Sequence, residues 1–392
     1  MACPGCPELH WQAVNSVSKR HAAAILTVLT ALLLVANFDA RLGYFSDDDL
    51  DTFGWVGIVP WKSFLNVVSP ALSESNFRPV GKLAYRAIVL TSGLDFRRFV
   101  SFIQFVHVLN AALLLAVMRL LRISLAAAAG SLLFFSFHPA TLIIQWKPMY
   151  VYELLCGLFC LLTLLLFLRG RIVLAAVAFW LAFKSKEIAV FLPVLLAGIE
   201  WTGERRWPRL TPFFAIAALF GVQAILQNRV KQEPYHLHPN LATMWKCLAF
   251  YASPVFGFRW SAAVLPAAAL VLRDRRPLAA SVSLFAILLP LLLLPGRLNE
   301  GYLYVPLIAG ALAVGYLLER VPRSVIALAC IAWTGSTAMQ LRSFSRTELA
   351  DASERRAYAG QLIVAAARHP GAEIVYADGL PANFELWGAS GA

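Results

Sequence analysis

The chain has 392 residues, of which 59% are hydrophobic and only 14% charged, where soluble domains run nearer half and a quarter. Those proportions exclude an ordinary soluble enzyme, a disordered chain and a disulfide-stapled secreted module, and they indicate a polytopic membrane protein. The formal net charge of +12 is read as the cation excess of short cytoplasmic loops, not as the footprint of a nucleic-acid partner.

In chain order, apolar segments predict membrane spans at 21–38, 100–121, 125–144, 149–168, 172–183, 188–199, 212–227, 256–272, 278–295, 302–318 and 324–341. None has the short apolar region and small-residue cleavage site of a signal peptide. With the N-terminus inside, the inner connections carry Lys19/Arg20, Arg119/Arg122, Arg169/Arg171, Arg205/Arg206/Arg209, Arg273/Arg275/Arg276 and Arg320/Arg323. The reverse orientation puts every one of these clusters outside, against the positive-inside rule. The expected organisation is a cytoplasmic segment 1–20, a transmembrane domain 21–341 with a first outer loop 39–99, and an outer or periplasmic tail 342–392. The fold class is all-α, a bundle of about 11 transmembrane helices whose large first outer loop carries juxtamembrane helices. In the tail, 348–367 reads as a helix and 373–376 as a short strand.

Two spans are irregular. Residues 172–183 and 188–199 give about 18 Å of helix each, short of a ~30 Å hydrocarbon core. Between them lies Lys184-Ser185-Lys186-Glu187, a charged turn that must face protein or a wet cavity. The segment 241–272 is too long for one simple span, so 241–251 is read as a juxtamembrane helix broken at Ser253-Pro254. In the first outer loop, Trp55, Trp61 and Phe64 mark an interfacial segment, and Val80, Leu83, Ala84, Ala87 and Ile88 form a helical stripe. That loop is expected to lie on the membrane as two helices.

The densest chemistry is Asp47-Asp48-Asp49-Leu50-Asp51, four carboxylates within five residues just after the first span. Like charges this close raise one another's pKa unless a cation relieves them. One carboxylate suits a general base, and Asp48 with Asp49 suits Mg²⁺ or Mn²⁺. The plainer alternative is a solvated acidic turn capping an interfacial helix. Arg78, just before Pro79, fits a phosphate at a helix start or a lipid headgroup. His107 and Asn110 lie within an apolar span and suit hydrogen bonds to a neighbouring helix. His138-Pro139 suits a span end, and Glu153 needs a partner such as Lys147 or Lys186. Arg297, Glu300 and Tyr302 stand at the outer entry to the tenth span, as a cavity mouth or as aromatic-belt neighbours. Cys3 and Cys6 form a lone CxxC with no second pair to complete a zinc site.

These motifs, in this order, resemble the GT-C superfamily of polytopic glycosyltransferases, in particular the bacterial relatives of its protein O-mannosyltransferase-related branch. Asp48-Asp49 is similar to the family's acidic motif in the first outer loop. Phe77-Arg78-Pro79-Val80 is similar to its Arg-Pro-Leu motif, and His107-x-x-Asn110 to its His-x-x-Asn. Phe137-His138-Pro139 with Trp146 resembles its His-Pro…Trp stretch, and Ser185-Lys186-Glu187 its Ser-Lys-Glu motif. Glu300-x-Tyr302-Leu303-Tyr304-Val305-Pro306 resembles Glu-Arg-Tyr-Leu-Tyr-Leu-Pro, with Gly301 where the family has arginine. No tetratricopeptide array follows the last span.

The resemblance implies an inverting sugar transfer from a polyprenyl-phosphate donor to an acceptor hydroxyl on a glycan, lipid or protein, at the outer face of a bacterial inner membrane. It implies Asp48, Asp49 or Asp47 as base or acceptor-orienting group, and Arg78, Lys186 and Arg297 as holders of the donor phosphate. Glu187, His107, His138, Glu153, Glu300 and Tyr302 complete the candidate site. No cofactor is required, although a divalent cation at Asp48 and Asp49 stays open. Two other functions compete with transfer: a transporter or lipid flippase, and a non-catalytic scaffold of the same fold.

Overall fold

A computed structural model of the protein describes residues 7–72, 78–228 and 236–369, and among these it contains helices and no strand. Helix α1, Pro7–Ala36, leads into the first outer loop. That loop forms α2, Asp47–Ile58, a 3-10 turn at Trp61–Val67, and α3, Pro79–Ser92. Both loop helices start where the sequence favours a start. Ser46 precedes three aspartates that complement the α2 dipole, and Pro79 sits at the first position of α3.

The core is built on α4, Phe96–Leu120, and α7, Val151–Leu168, with α8, Ile172–Ser185, packed on α7. Asp95 caps α4 by accepting from the Arg97 N–H at 3.0 Å. On the other side, α13, Arg275–Leu292, packs between α9, Leu192–Thr202, and α14, Pro306–Leu318. Among the described residues, five helices are long and apolar enough to cross a membrane alone, and five shorter apolar helices fill out the bundle.

The break predicted at Lys184–Glu187 is present. Helix α8 ends at Ser185, Lys186 is fully extended, and a 3-10 turn at Glu187–Phe191 leads into α9. Three expected elements differ. The span 125–144 is divided into α5, Leu125–Ser136, and the short α6, Pro139–Ile143. His138 causes the division by leaving helical geometry, and its Nδ1 accepts from the Ala140 N–H at 3.1 Å to restart the chain at Pro139.

The span 256–272 shrinks to α12, Val264–Val271, which follows α10, Thr211–Asn228, and α11, Leu241–Ala252. Before it, the chain is knotted into a compact loop by Ser261. Its Oγ donates toward the carbonyls of Ala252 and Ser253 and accepts from the Phe256 N–H at 2.8 Å. Finally, the last span and the tail helix are one element, α15, Arg323–Arg368, 46 residues long. No proline separates them, and the segment beyond the apolar part is packed against protein. Glu348 there meets Lys147 at 3.0 Å and Arg355 at 2.5 Å. Arg356 also donates to the Gly43 carbonyl at 2.8 Å, so α15 reaches the end of the bundle that carries the first outer loop. The expected strand at 373–376 and the Cys3/Cys6 pair lie outside the described residues.

Candidate active site

The mouth of the bundle is formed by the starts of α2, α3 and α7, the α8–α9 break, and the approach to α14. Arg78 ends the loop before α3 and reaches across to the break. Its Nε donates to Glu187 Oε2 at 2.8 Å and its Nη2 donates to Glu187 Oε1, a two-pronged ion pair. Nη1 is not engaged by Glu187. The pair is about one-third exposed, with side-chain values of 30% and 33%. Its guanidinium also lies over the Tyr152 ring, 5.8 Å from the centroid.

One residue away, Lys186 is buried and its ammonium donates to Glu153 Oε1. The same ammonium sits 4.1 Å from the Tyr302 ring centroid. The extended backbone of Lys186 turns Lys186 toward α7 and Glu187 toward α3. Glu153, Lys186, Glu187 and Arg78 thus form a chain of alternating charges from the interior to the mouth. Such pairing is what allows charges at this depth.

The acidic loop divides sharply. Asp49 is buried, with both carboxylate oxygens occupied. Oδ2 accepts from the Ser46 N–H at 2.9 Å, and Oδ1 accepts from the Tyr85 hydroxyl at 2.5 Å. This reciprocal cap at the third helical position fixes the start of α2. Burial pushes the Asp49 carboxyl up to about 6, against the lowering effect of the Ser46 and Tyr85 hydrogen bonds. Because both Asp49 oxygens are engaged, Asp48 and Asp49 do not fit as a paired metal site. Among the described residues, no three His, Cys, Asp or Glu side chains gather as metal ligands.

Asp48 is partly exposed. It lies within electrostatic reach of Arg297, Tyr150, Tyr152 and Tyr302. For Asp47, the structure describes the backbone at the start of α2. Asp51 is raised by partial burial and then by Asp48.

Arg297 ends a 3-10 turn, Pro295–Arg297, and its carbonyl accepts from the Tyr251 hydroxyl at 3.3 Å. Burial lowers the pKa of its guanidinium, and Tyr302 and Asp48 act in the opposite direction. Glu300 is half-buried, which raises its carboxyl. Gly301 has a packing reason. A Cβ there would stand 2.5 Å from the Tyr150 ring. Tyr150 in turn exchanges hydrogen bonds with Asn299 at 3.0–3.1 Å, and Asn299 Oδ1 accepts from the Gly301 N–H at 2.8 Å. The position is therefore filled by a tyrosine ring from the start of α7, and Arg297 is the cation on this side of the mouth.

Two predicted residues brace the mouth from beneath. His107 Nδ1 and Asn110 Nδ2 each lie 2.9 Å from the Tyr304 hydroxyl. Asn110 also donates to the Leu154 carbonyl at 2.9 Å. The His-x-x-Asn pattern thus fixes the turn that carries Tyr302. His138 is buried at the α5–α6 break, with Nε2 3.2 Å from the Val255 carbonyl, away from Asp48 and Arg78. Sequence reasoning missed Tyr150, Tyr152 and Asn299. The readable signal was a pair of tyrosines on either side of Val151, immediately before the intramembrane Glu153.

The architecture is similar to that of ArnT from Cupriavidus metallidurans, solved bound to undecaprenyl phosphate. The two share 15% sequence identity with a TM-score of 0.53, over 84% of this chain and 70% of that one. The chain has the GT-C fold. No family model matches it, and no curated protein matches it. In this chain, Asp48, Arg78, Lys186, Arg297 and Tyr302 share one mouth, Asp49 and His107 support it, and His138 stands apart.

Proposed function

We propose that this protein is a membrane glycosyltransferase that moves a sugar from a polyprenyl-phosphate donor to an acceptor hydroxyl. The observation that carries the reading is one partly exposed carboxylate, Asp48, within electrostatic reach of Arg297 and beside the paired cations Arg78 and Lys186, in a GT-C fold. Further support comes from the undecaprenyl phosphate bound by the structurally similar ArnT.

In the proposed reaction the acceptor oxygen attacks the anomeric carbon as the bond from that carbon to the phosphate oxygen breaks. The bonding pair leaves with the polyprenyl phosphate, and the hydroxyl proton passes to the Asp48 carboxylate. A single displacement of this kind inverts the anomeric centre. The phosphate gains negative charge as it leaves, so cations fixed in advance around it favour the transition state. Glu187 and Glu153 hold Arg78 and Lys186 in place, and Nη1 of Arg78 is the donor directed at the phosphate. The lipid tail lies in the bilayer beside the bundle, and the acceptor is a glycan, lipid or protein reaching the same face.

The reading places the N-terminus in the cytoplasm of a bacterial cell, the mouth and the C-terminal tail outside, and the chain in the inner membrane. Mass spectrometry of lipids that purify with the protein tests it. A polyprenyl-phosphate sugar in wild type, depleted in Arg78→Gln, is expected. Only bulk phospholipid in both would refute it.

A further inference from the structure

At the far end of the bundle from Asp48, the turns after α9 and α12 and the start of α13 enclose a basin of about 450 Å³. The helices themselves set the separation. Helices α9, α13 and α14 each have one end near the mouth and the other at this basin, and the 18 residues of α13 span about 27 Å. Five arginines line the basin, Arg205, Arg273, Arg275, Arg276 and Arg320, around one acid, Asp274. Asp274 is already engaged by Arg276 at 3.0 Å and Arg320 at 3.4 Å. Arg205 and Arg273 form no ion pair among the described residues.

Among the described residues three arginines hold left-handed conformations, and two of them line the basin. Both hold left-handed conformations, with φ of 58° at Arg205 and 51° at Arg273. At Arg273 the Asp274 N–H bonds back to the Ala269 carbonyl at 3.1 Å, a helix ending whose left-handed position glycine normally fills. The chain does use glycine in the same ending elsewhere, at Gly170, with φ of 75°. Glycine at either position would relieve that strain. The dipole of α12 rewards a cation nearby but does not require it on that residue.

The surroundings identify the anion as a lipid headgroup. Trp201 lines the basin and Trp207 follows the same turn, 36% and 47% exposed, as tryptophans are at headgroup depth. Cations beside tryptophans at headgroup level match the phosphate diester of an anionic lipid. We propose that the basin binds the phosphate of an anionic phospholipid whose acyl chains lie in the surrounding bilayer. This site is separate from the mouth and does not depend on the transfer reaction.

The test is thermal unfolding of the full chain in neutral detergent, titrated with phosphatidylglycerol, phosphatidylcholine or inorganic pyrophosphate. Phosphatidylglycerol is expected to raise the melting temperature of wild type, and the other two are not. Without lipid, Arg205→Gly/Arg273→Gly melts at or above wild type, because left-handed strain is relieved. With lipid it needs roughly 30-fold more phosphatidylglycerol for the same shift, since each surface cation contributes about fivefold. Arg98→Gln, at an exposed arginine near the start of α4 and so toward the mouth, keeps the wild-type titration. Equal titrations for wild type and the double variant would overturn the proposal, as would an equal loss in Arg98→Gln. Pyrophosphate matching phosphatidylglycerol would overturn the lipid assignment in favour of a soluble phosphate.

Discussion

Cutting the Glu153–Lys186 pair strands a charge in the interior. Glu153 is 3% exposed and Lys186 is 5% exposed, so neither gains water when its partner is removed. Glu153→Met leaves the Lys186 ammonium on the Tyr302 ring, and Lys186→Met leaves the buried Glu153 carboxylate without the cation it pairs with. Losing one member of a buried pair costs about 3–5 kcal/mol. At roughly 2 °C per kcal/mol for a chain of this size, each single variant should melt about 6–10 °C lower. Glu153→Met/Lys186→Met removes both charges and fills the space with apolar atoms, which is often close to neutral. The double variant should therefore recover at least half of the summed single losses, a coupling of about 3 kcal/mol or more. Thermal unfolding of the four proteins in one detergent reads the cycle, with donor turnover measured alongside. Both variants lacking Lys186 should be inactive whatever their stability, because the phosphate has lost a cation. A double variant that loses the sum of the two single losses would refute the pairing.

Three other outcomes follow from the geometry. The native Asp49 carboxyl sits at about 6, raised from 3.8, so the folded chain binds this proton more tightly than the unfolded chain. Its stabilisation is complete below about pH 4 and disappears as pH rises through about 6; Asp49→Asn should flatten that slope, worth about 3 kcal/mol, and an unchanged slope in melting midpoints from acid to neutral pH would contradict it. Gly301→Ala forces a Cβ into the Tyr150 ring and should cost about 1–3 kcal/mol, largely restored by Tyr150→Leu in the same chain; a silent Gly301→Ala would remove the packing explanation for this glycine. Tyr304→Phe takes away the oxygen that His107 and Asn110 share and should destabilise by about 1–3 kcal/mol, a loss visible as an earlier thermal transition.

Much of this architecture is written in local chemistry. The charged run Lys184–Glu187 cannot face lipid, so a broken span was legible from composition alone. The apolar stripe after Pro79 announced α3 in the same way. Glu153 required a cation, and Lys186 was one of two named candidates; Lys147 pairs instead with Glu348 of α15. The Arg78–Glu187 pair was not legible, because nothing in either segment specifies that α3 lies against the α8–α9 break. Four adjacent acids gave no way to rank Asp48 above Asp49 by charge. The Ser46-x-x-Asp49 spacing was the overlooked signal, since it is the pattern of a reciprocal helix cap and marks Asp49 as structural. The continuity of α15 escaped for a different reason. Its amphipathic half is held by Glu348, Arg355 and Arg356, whose partners lie hundreds of residues away or on the same helix, and no local period reveals them.

The central claim is that Asp48 takes the acceptor proton at a mouth whose cations hold a polyprenyl phosphate. Its most direct test is Asp48→Asn in membranes supplied with a polyprenyl-phosphate sugar, following conversion of the donor to polyprenyl phosphate. General-base removal should slow conversion by about 10²-fold or more, with the melting temperature and the amount of co-purifying donor lipid unchanged. Wild-type conversion by Asp48→Asn would contradict the account.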